Sequence, residues 1–163
     1  MSYSLPYFGI VDPEALNEYY DLRTEMAGQQ VTVDINFDEA CIAVEKLDQL
    51  RVRLGTLPAL LGRAWDAVRE SFLHEQDARK YIDRHMDLLD SPELQKGLRQ
   101  ADASLSSEEK LFALVRPLRI GLYPEDEESY FVFDFSLSRE LTDYLIVVVM
   151  TVDEKLRYVT TES

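Results

Sequence analysis

Two stretches far apart in the chain alternate strictly between core-forming and other side chains, and that alternation limits what the rest can fold into. In the first, Val31, Val33, Ile35 and Phe37 are interleaved with Thr32, Asp34, Asn36 and Asp38. In the second, Phe131, Phe133, Phe135 and Leu137 are interleaved with Val132, Asp134 and Ser136. A period of two sends every second side chain to one face of a strand, so each stretch carries an apolar face that needs cover.

The sequence between them has the other period. Ala40, Ala43, Val44, Leu47, Leu50 and Leu54 recur at helical spacing, and Asn36 with Glu39 has the spacing of a capping box. A second, longer helical stripe runs from Pro58 through Leu61, Trp65, Val68, Phe72, Ile82 and Leu89. Glu75 and Arg79 interrupt that stripe, either as an ion pair or as a bend. Residues 91–105 read as a polar connection, after which Ser106 and Glu109 form another capping-box pattern before a short helix ending near Val115.

Further alternating or apolar segments lie at Tyr20–Met26, Leu118–Leu122, Tyr144–Val152 and Leu156–Thr160, with Ala27-Gly28-Gln29-Gln30 as a turn after the first. The expected fold is therefore a single α+β domain over 1–163. Its antiparallel sheet combines an N-terminal hairpin with a C-terminal meander, and two or three helices, mainly 38–54 and 58–89, cover one face.

The chain has 17 basic and 31 acidic residues, a formal charge of −14. Nucleic-acid affinity and attraction to anionic lipid both depend on clustered Lys and Arg, so neither partner is expected. The acids concentrate in the strand-rich ends: residues 1–40 carry −7 and 111–163 carry −5, leaving −2 for the helical middle. The longest purely apolar run, Leu145 to Met150, is far short of the roughly 20 residues that span a bilayer. Pro6, Gly9 and Asp12 break up any signal-like start, and the single cysteine permits no internal disulfide, so a cytoplasmic location is expected.

Chemistry is sparse. Glu125, Asp126, Glu127 and Glu128 fall between two strands and lack the glycine and alternate-ligand spacing of a calcium loop, which makes a solvated turn the expectation. His74 and His85 stand ~16 Å apart on one long helix, both turned from the Trp65 stripe toward solvent, and cannot share a metal. Cys41 lies in the first turns of an expected helix, where a thiolate is favoured, but no local signature makes it a nucleophile. No glycine-rich phosphate loop, nucleophile elbow or dinucleotide fingerprint is present, and no cofactor or metal is expected. Alternation places Asp134 on the outer sheet face, opposite the phenylalanines, and Tyr19, Tyr123 and Tyr130 are candidates to stand beside outward carboxylates.

The segment "VTVDINFDE" and the closing "SYFVFDFSLSRELTDYLIVVVMTVDEKLRYVTTES" resemble the two ends of an uncharacterised bacterial family, number 2004 among the domains of unknown function. The resemblance implies a small cytoplasmic protein without assigned activity, akin in some members to immunity proteins of toxin systems. It supplies no functional residue.

Residues and resemblance together point to a non-catalytic domain that binds a basic protein partner, as an immunity protein binds a toxin, through an acidic sheet face. The candidate contacts are Asp21, Glu25, Asp34, Glu125, Asp126, Glu127, Glu128 and Asp134. Two alternatives stay open. One is an enzyme with a spatially assembled site, from Cys41 with a histidine or from paired carboxylates. The other is a structural domain that self-associates, for instance as a homodimer, through an edge strand or the Trp65 helix.

Overall fold

A computed structural model describes residues 1–163. The chain begins with a small hairpin of β1 (Tyr3–Leu5) and β2 (Gly9–Val11), which local alternation did not predict. The expected hairpin follows as β3 (Tyr19–Met26) and β4 (Gln29–Asn36), closed by Ala27 and Gly28, both at positive φ. Five helices come next rather than the two or three expected: α1 (Val44–Leu54), α2 (Leu57–Leu73), α3 (Asp77–Arg84), α4 (Pro92–Gln100), which forms within the expected polar connection and buries Leu94, and α5 (Ser107–Phe112). The chain then returns as β5 (Arg116–Leu122), β6 (Phe131–Ser136), β7 (Leu145–Met150) and β8 (Leu156–Glu162).

The last six strands form one sheet in sequence order, β3 to β8. Every neighbouring pair is antiparallel except β4 and β5, which run parallel with Thr32 beside Arg119 and Asp34 beside Gly121. The sheet is thus mixed, not antiparallel throughout. A parallel pair needs a long crossover, and here the whole helical middle of the chain supplies it. That crossover joins the two alternating stretches into one sheet, so Val33, Ile35, Ile120, Leu122, Phe131 and Phe133 all enter a single core at 0 % exposure.

The helices fill the face those residues share. Leu47, Leu50 and Leu54 of α1 are fully buried, as their spacing predicts. Trp65 of α2 stacks on Phe112 of α5 with centroids 5.2 Å apart, Phe112 stacks on Phe72 at 4.2 Å, and Trp65 lies 5.8 Å from Phe135 of β6. The pattern anticipated at Ser106 forms a true capping box with Glu109.

Two local readings differ. Asn36 caps no helix, because its amide donates instead to Asp34 at 2.6 Å, and α1 starts only at Val44. The long helical stripe is broken at Glu75, whose φ is +56°, and buried Ser71 accepts the Ala78 N–H at 2.9 Å to start α3. Arg79 pairs with Asp83, not Glu75. The break resets the helical phase, which is why His85 is buried rather than solvent-facing, bonded to the Tyr81 carbonyl at 2.6 Å and to Thr142 at 2.8 Å. No helix is long and apolar enough to cross a membrane.

Candidate functional site

Alternation turns one set of strand residues away from the helices, onto what we call the open face. Cross-strand pairing puts Arg23, Thr32, Arg119 and Asp134 of β3 to β6 in one row across it, and Asp21, Asp34 and Gly121 in the next. Arg119 does not rise from its own row. Its guanidinium folds forward over Gly121, where a Cβ would collide with it, and reaches the neighbouring row.

There it meets Asp34. Nε donates to Oδ2 at 2.6 Å and an Nη donates to Oδ1 at 2.8 Å, a two-pronged pair that matches the planar geometry of both groups. The same Nη donates to the Tyr123 hydroxyl at 2.9 Å, and the other Nη donates to Asp134 Oδ2 at 3.3 Å. Asn36 completes the shell of Asp34, which is 0 % exposed. One arginine therefore bridges two carboxylates drawn from β4 and β6.

The electrostatics follow from that enclosure. Burial works against the Arg119 charge, but the hydrogen bonds and field of Asp34 and Tyr123 outweigh it and hold its pKa above the ordinary arginine value. Asp134 shifts the opposite way for a carboxylate in an ion pair: burial raises its pKa, and Arg119 only partly offsets this. Its second oxygen, Oδ1, accepts no hydrogen bond from the protein, so Asp134 is less well compensated than Asp34.

Because Arg119 leans toward Tyr123, the space above Thr32 is left empty. The result is a depression of about 360 Å³, lined by Thr32, Arg119, Asp134 and Asp34, the last held under Arg119, with Tyr19, Arg23 and Arg139 also around it. A second cleft of about 350 Å³, beside Leu61, Trp65 and Phe135, holds no charged group.

The sequence-predicted contacts divide among three environments. Asp21 and Glu25 are exposed on β3, as expected. Asp34 and Asp134 do share the open face, yet both are buried under Arg119 and present little surface to a partner. Glu125 is half-buried and accepts the Asp38 N–H at 2.8 Å, while Asp126, Glu127 and Glu128 are exposed, Asp126 closing the turn by accepting the Ser129 N–H. The open face also carries Arg23 and Arg119, so it is mixed in charge. Arg119 was the missed residue: a charge between Leu118 and Ile120 marked it, but its link to Asp34 needs the parallel pairing that local pattern does not reveal.

The charge that alternation did not concentrate, the loops do. The Asp38–Glu125 bond and a bond from Val152 N–H to the Glu127 carbonyl gather three loops at one end of the sheet, bearing Asp38, Glu39, Glu125 to Glu128, Asp153 and Glu154. Tyr19, 51 % exposed, stands at the same end beside Asn36. The segment after the small hairpin is tied to the loop before α1 by a bond from Ile42 N–H to the Pro13 carbonyl, and Ile10 of the hairpin is 69 % exposed.

Cys41 is exposed in the loop before α1, not within the helix, and neither histidine bonds to it: His74 contacts Glu70, and His85 is held by Tyr81 and Thr142. No three His, Cys, Asp or Glu side chains converge as metal ligands. Comparison with protein-family models, curated proteins and solved structures returns no match.

Proposed function

We propose that this chain is a non-catalytic binding domain that engages a basic protein partner at the acidic loop end of its sheet, in the manner of an immunity protein capturing a toxin. The observation that carries the reading is the convergence of three acidic loops beside exposed Tyr19. Carboxylates steer a basic partner by long-range attraction, and an exposed aromatic ring supplies desolvated contact. Arg53 and Arg63 offset Glu154, and Arg157 offsets Glu128, which leaves Asp38, Glu39, Asp126, Glu127 and Asp153 without an ion-pair partner. Paired-carboxylate catalysis is disfavoured, because Arg119 occupies both oxygens of Asp34 and one of Asp134.

The test is affinity capture by the wild type and by a variant carrying D126K, E127K and E128K, followed by stopped-flow association with the captured protein at several salt concentrations. The reading expects a basic partner, lost on charge reversal, with an association rate that falls steeply with salt. A partner captured equally by both proteins and insensitive to salt would refute it.

A further inference from the structure

The depression on the open face borders the loop end at Tyr19 but has its own chemistry. Its floor offers Asp134 Oδ1, an acceptor without a protein donor on a residue only 9 % exposed. Its walls offer Arg23 and Arg139, both exposed and neither paired with a carboxylate, although the chain as a whole has far more acids than bases. The side chains of Thr32 and Gln30 line it with further hydrogen-bonding capacity, and Leu118 and Leu145 add an apolar wall.

These groups are arranged by sign. Arg23 on β3 and Asp134 on β6 occupy the same cross-strand row three strands apart, about 14 Å between backbones at ordinary strand spacing. Between them Thr32 is short, and Arg119, folded over Gly121, reaches only Oδ2 of Asp134, so no side chain links Asp134 to Arg23. Asp134 Oδ1 has no protein donor and keeps contact with solvent, so a donor brought into the gap can reach it. A ligand that satisfies both sides must carry an anionic group and a donating cationic group a few bonds apart, with apolar substance to lie against the leucines. At about 360 Å³ the depression is at the small end of ligand pockets, suited to a single small molecule.

We propose that this depression binds a free aliphatic α-amino acid, with its carboxylate held by Arg23 and Arg139, its ammonium by Asp134 and its side chain against Leu118 and Leu145. The ammonium would share Asp134 with Arg119, which bonds only its Oδ2 and leaves Oδ1 for a second donor.

The experiment titrates ¹⁵N-labelled protein with L-leucine, L-isoleucine, L-valine and L-methionine singly, and then with 4-methylpentanoate and isopentylamine, which are leucine without its ammonium and without its carboxylate. Saturable shifts at the amides of Arg23, Thr32 and Asp134 are expected with at least one amino acid. Loss of either charged contact should weaken binding about tenfold or more, whether made on the ligand or by R23A, R139A or D134N. Arg23 and Arg139 are exposed, so their variants keep the fold even where D134N does not. No saturable shift with any of the four, equal binding of 4-methylpentanoate and leucine, or affinity unchanged in both arginine variants would overturn the proposal.

Discussion

Arg119 lies over Gly121, two residues ahead on the same strand face, and only the missing side chain of Gly121 lets the guanidinium reach Asp34 on the neighbouring parallel strand. The glycine is thus part of the ion-pair geometry rather than a turn residue. Its φ is not in the left-handed region, so space, not backbone conformation, is what it provides.

Replacing Gly121 with Ala should displace Arg119 and leave Asp34 buried without its main partner. Breaking one side of a buried pair costs roughly 3–5 kcal/mol, and R119A should fall in that range. In the R119A background G121A should cost far less, because there is no guanidinium left to displace. Urea unfolding of the two single variants and the double variant measures the coupling, and strictly additive losses would show that Gly121 acts by some other route.

Asp134 makes stability depend on pH with an unusual sign. Its folded-state pKa is raised by burial, so between the ordinary value of 3.8 and that raised value the folded chain holds a proton that the unfolded chain has lost. This contribution is present at low pH and is lost as pH rises through the window. The difference in unfolding free energy between wild type and D134N should therefore shift against the wild type on going from acid to neutral pH, then level off. A difference that stays constant across the range would mean Asp134 is not desolvated.

Much of this fold is legible in the sequence, and the part that is not has a physical reason. Val33, Ile35, Phe131 and Phe133 announce their strands and their buried face because side-chain period is a local property. Ser106 and Glu109 announce a helix start for the same reason. The pairing of Thr32 with Arg119 is not local. It depends on where a crossover of five helices deposits β5, and so the Asp34–Arg119–Asp134 cluster became visible only with the sheet assembled. His85 illustrates the reverse error, in which a correct helical stripe was carried across a break at Glu75 that positive φ, not composition, enforces.

Tyr81 ties α3 to the end of β6: its hydroxyl accepts the Leu137 N–H at 3.1 Å and contacts Ser136 Oγ at 3.4 Å, all in buried surroundings. Tyr81→Phe removes that acceptor without changing the shape of the ring. The orphaned backbone donor should cost about 1–3 kcal/mol. Amide exchange at Leu137 should accelerate more than at Phe133, which is paired within the sheet. Uniform acceleration of both would indicate global loosening instead of a lost local bond.

The acids singled out by sequence should separate sharply by mutation, since the structure puts them in opposite environments. Asp126, Glu127 and Glu128 are exposed on a turn, where substitutions usually change stability by less than about 0.5 kcal/mol. Asp34 is 0 % exposed and receives two bonds from Arg119 and one from Asn36, so Asp34→Ala strands a half-buried guanidinium and should cost up to roughly 3–5 kcal/mol. Reversing Glu127 and Glu128 together should leave the urea midpoint nearly unmoved while changing the salt dependence of partner association, and Asp34→Ala should do the opposite until the protein unfolds. Equal destabilisation by the two changes would remove the distinction between a steering surface and a structural pair on which the assignment of these residues depends.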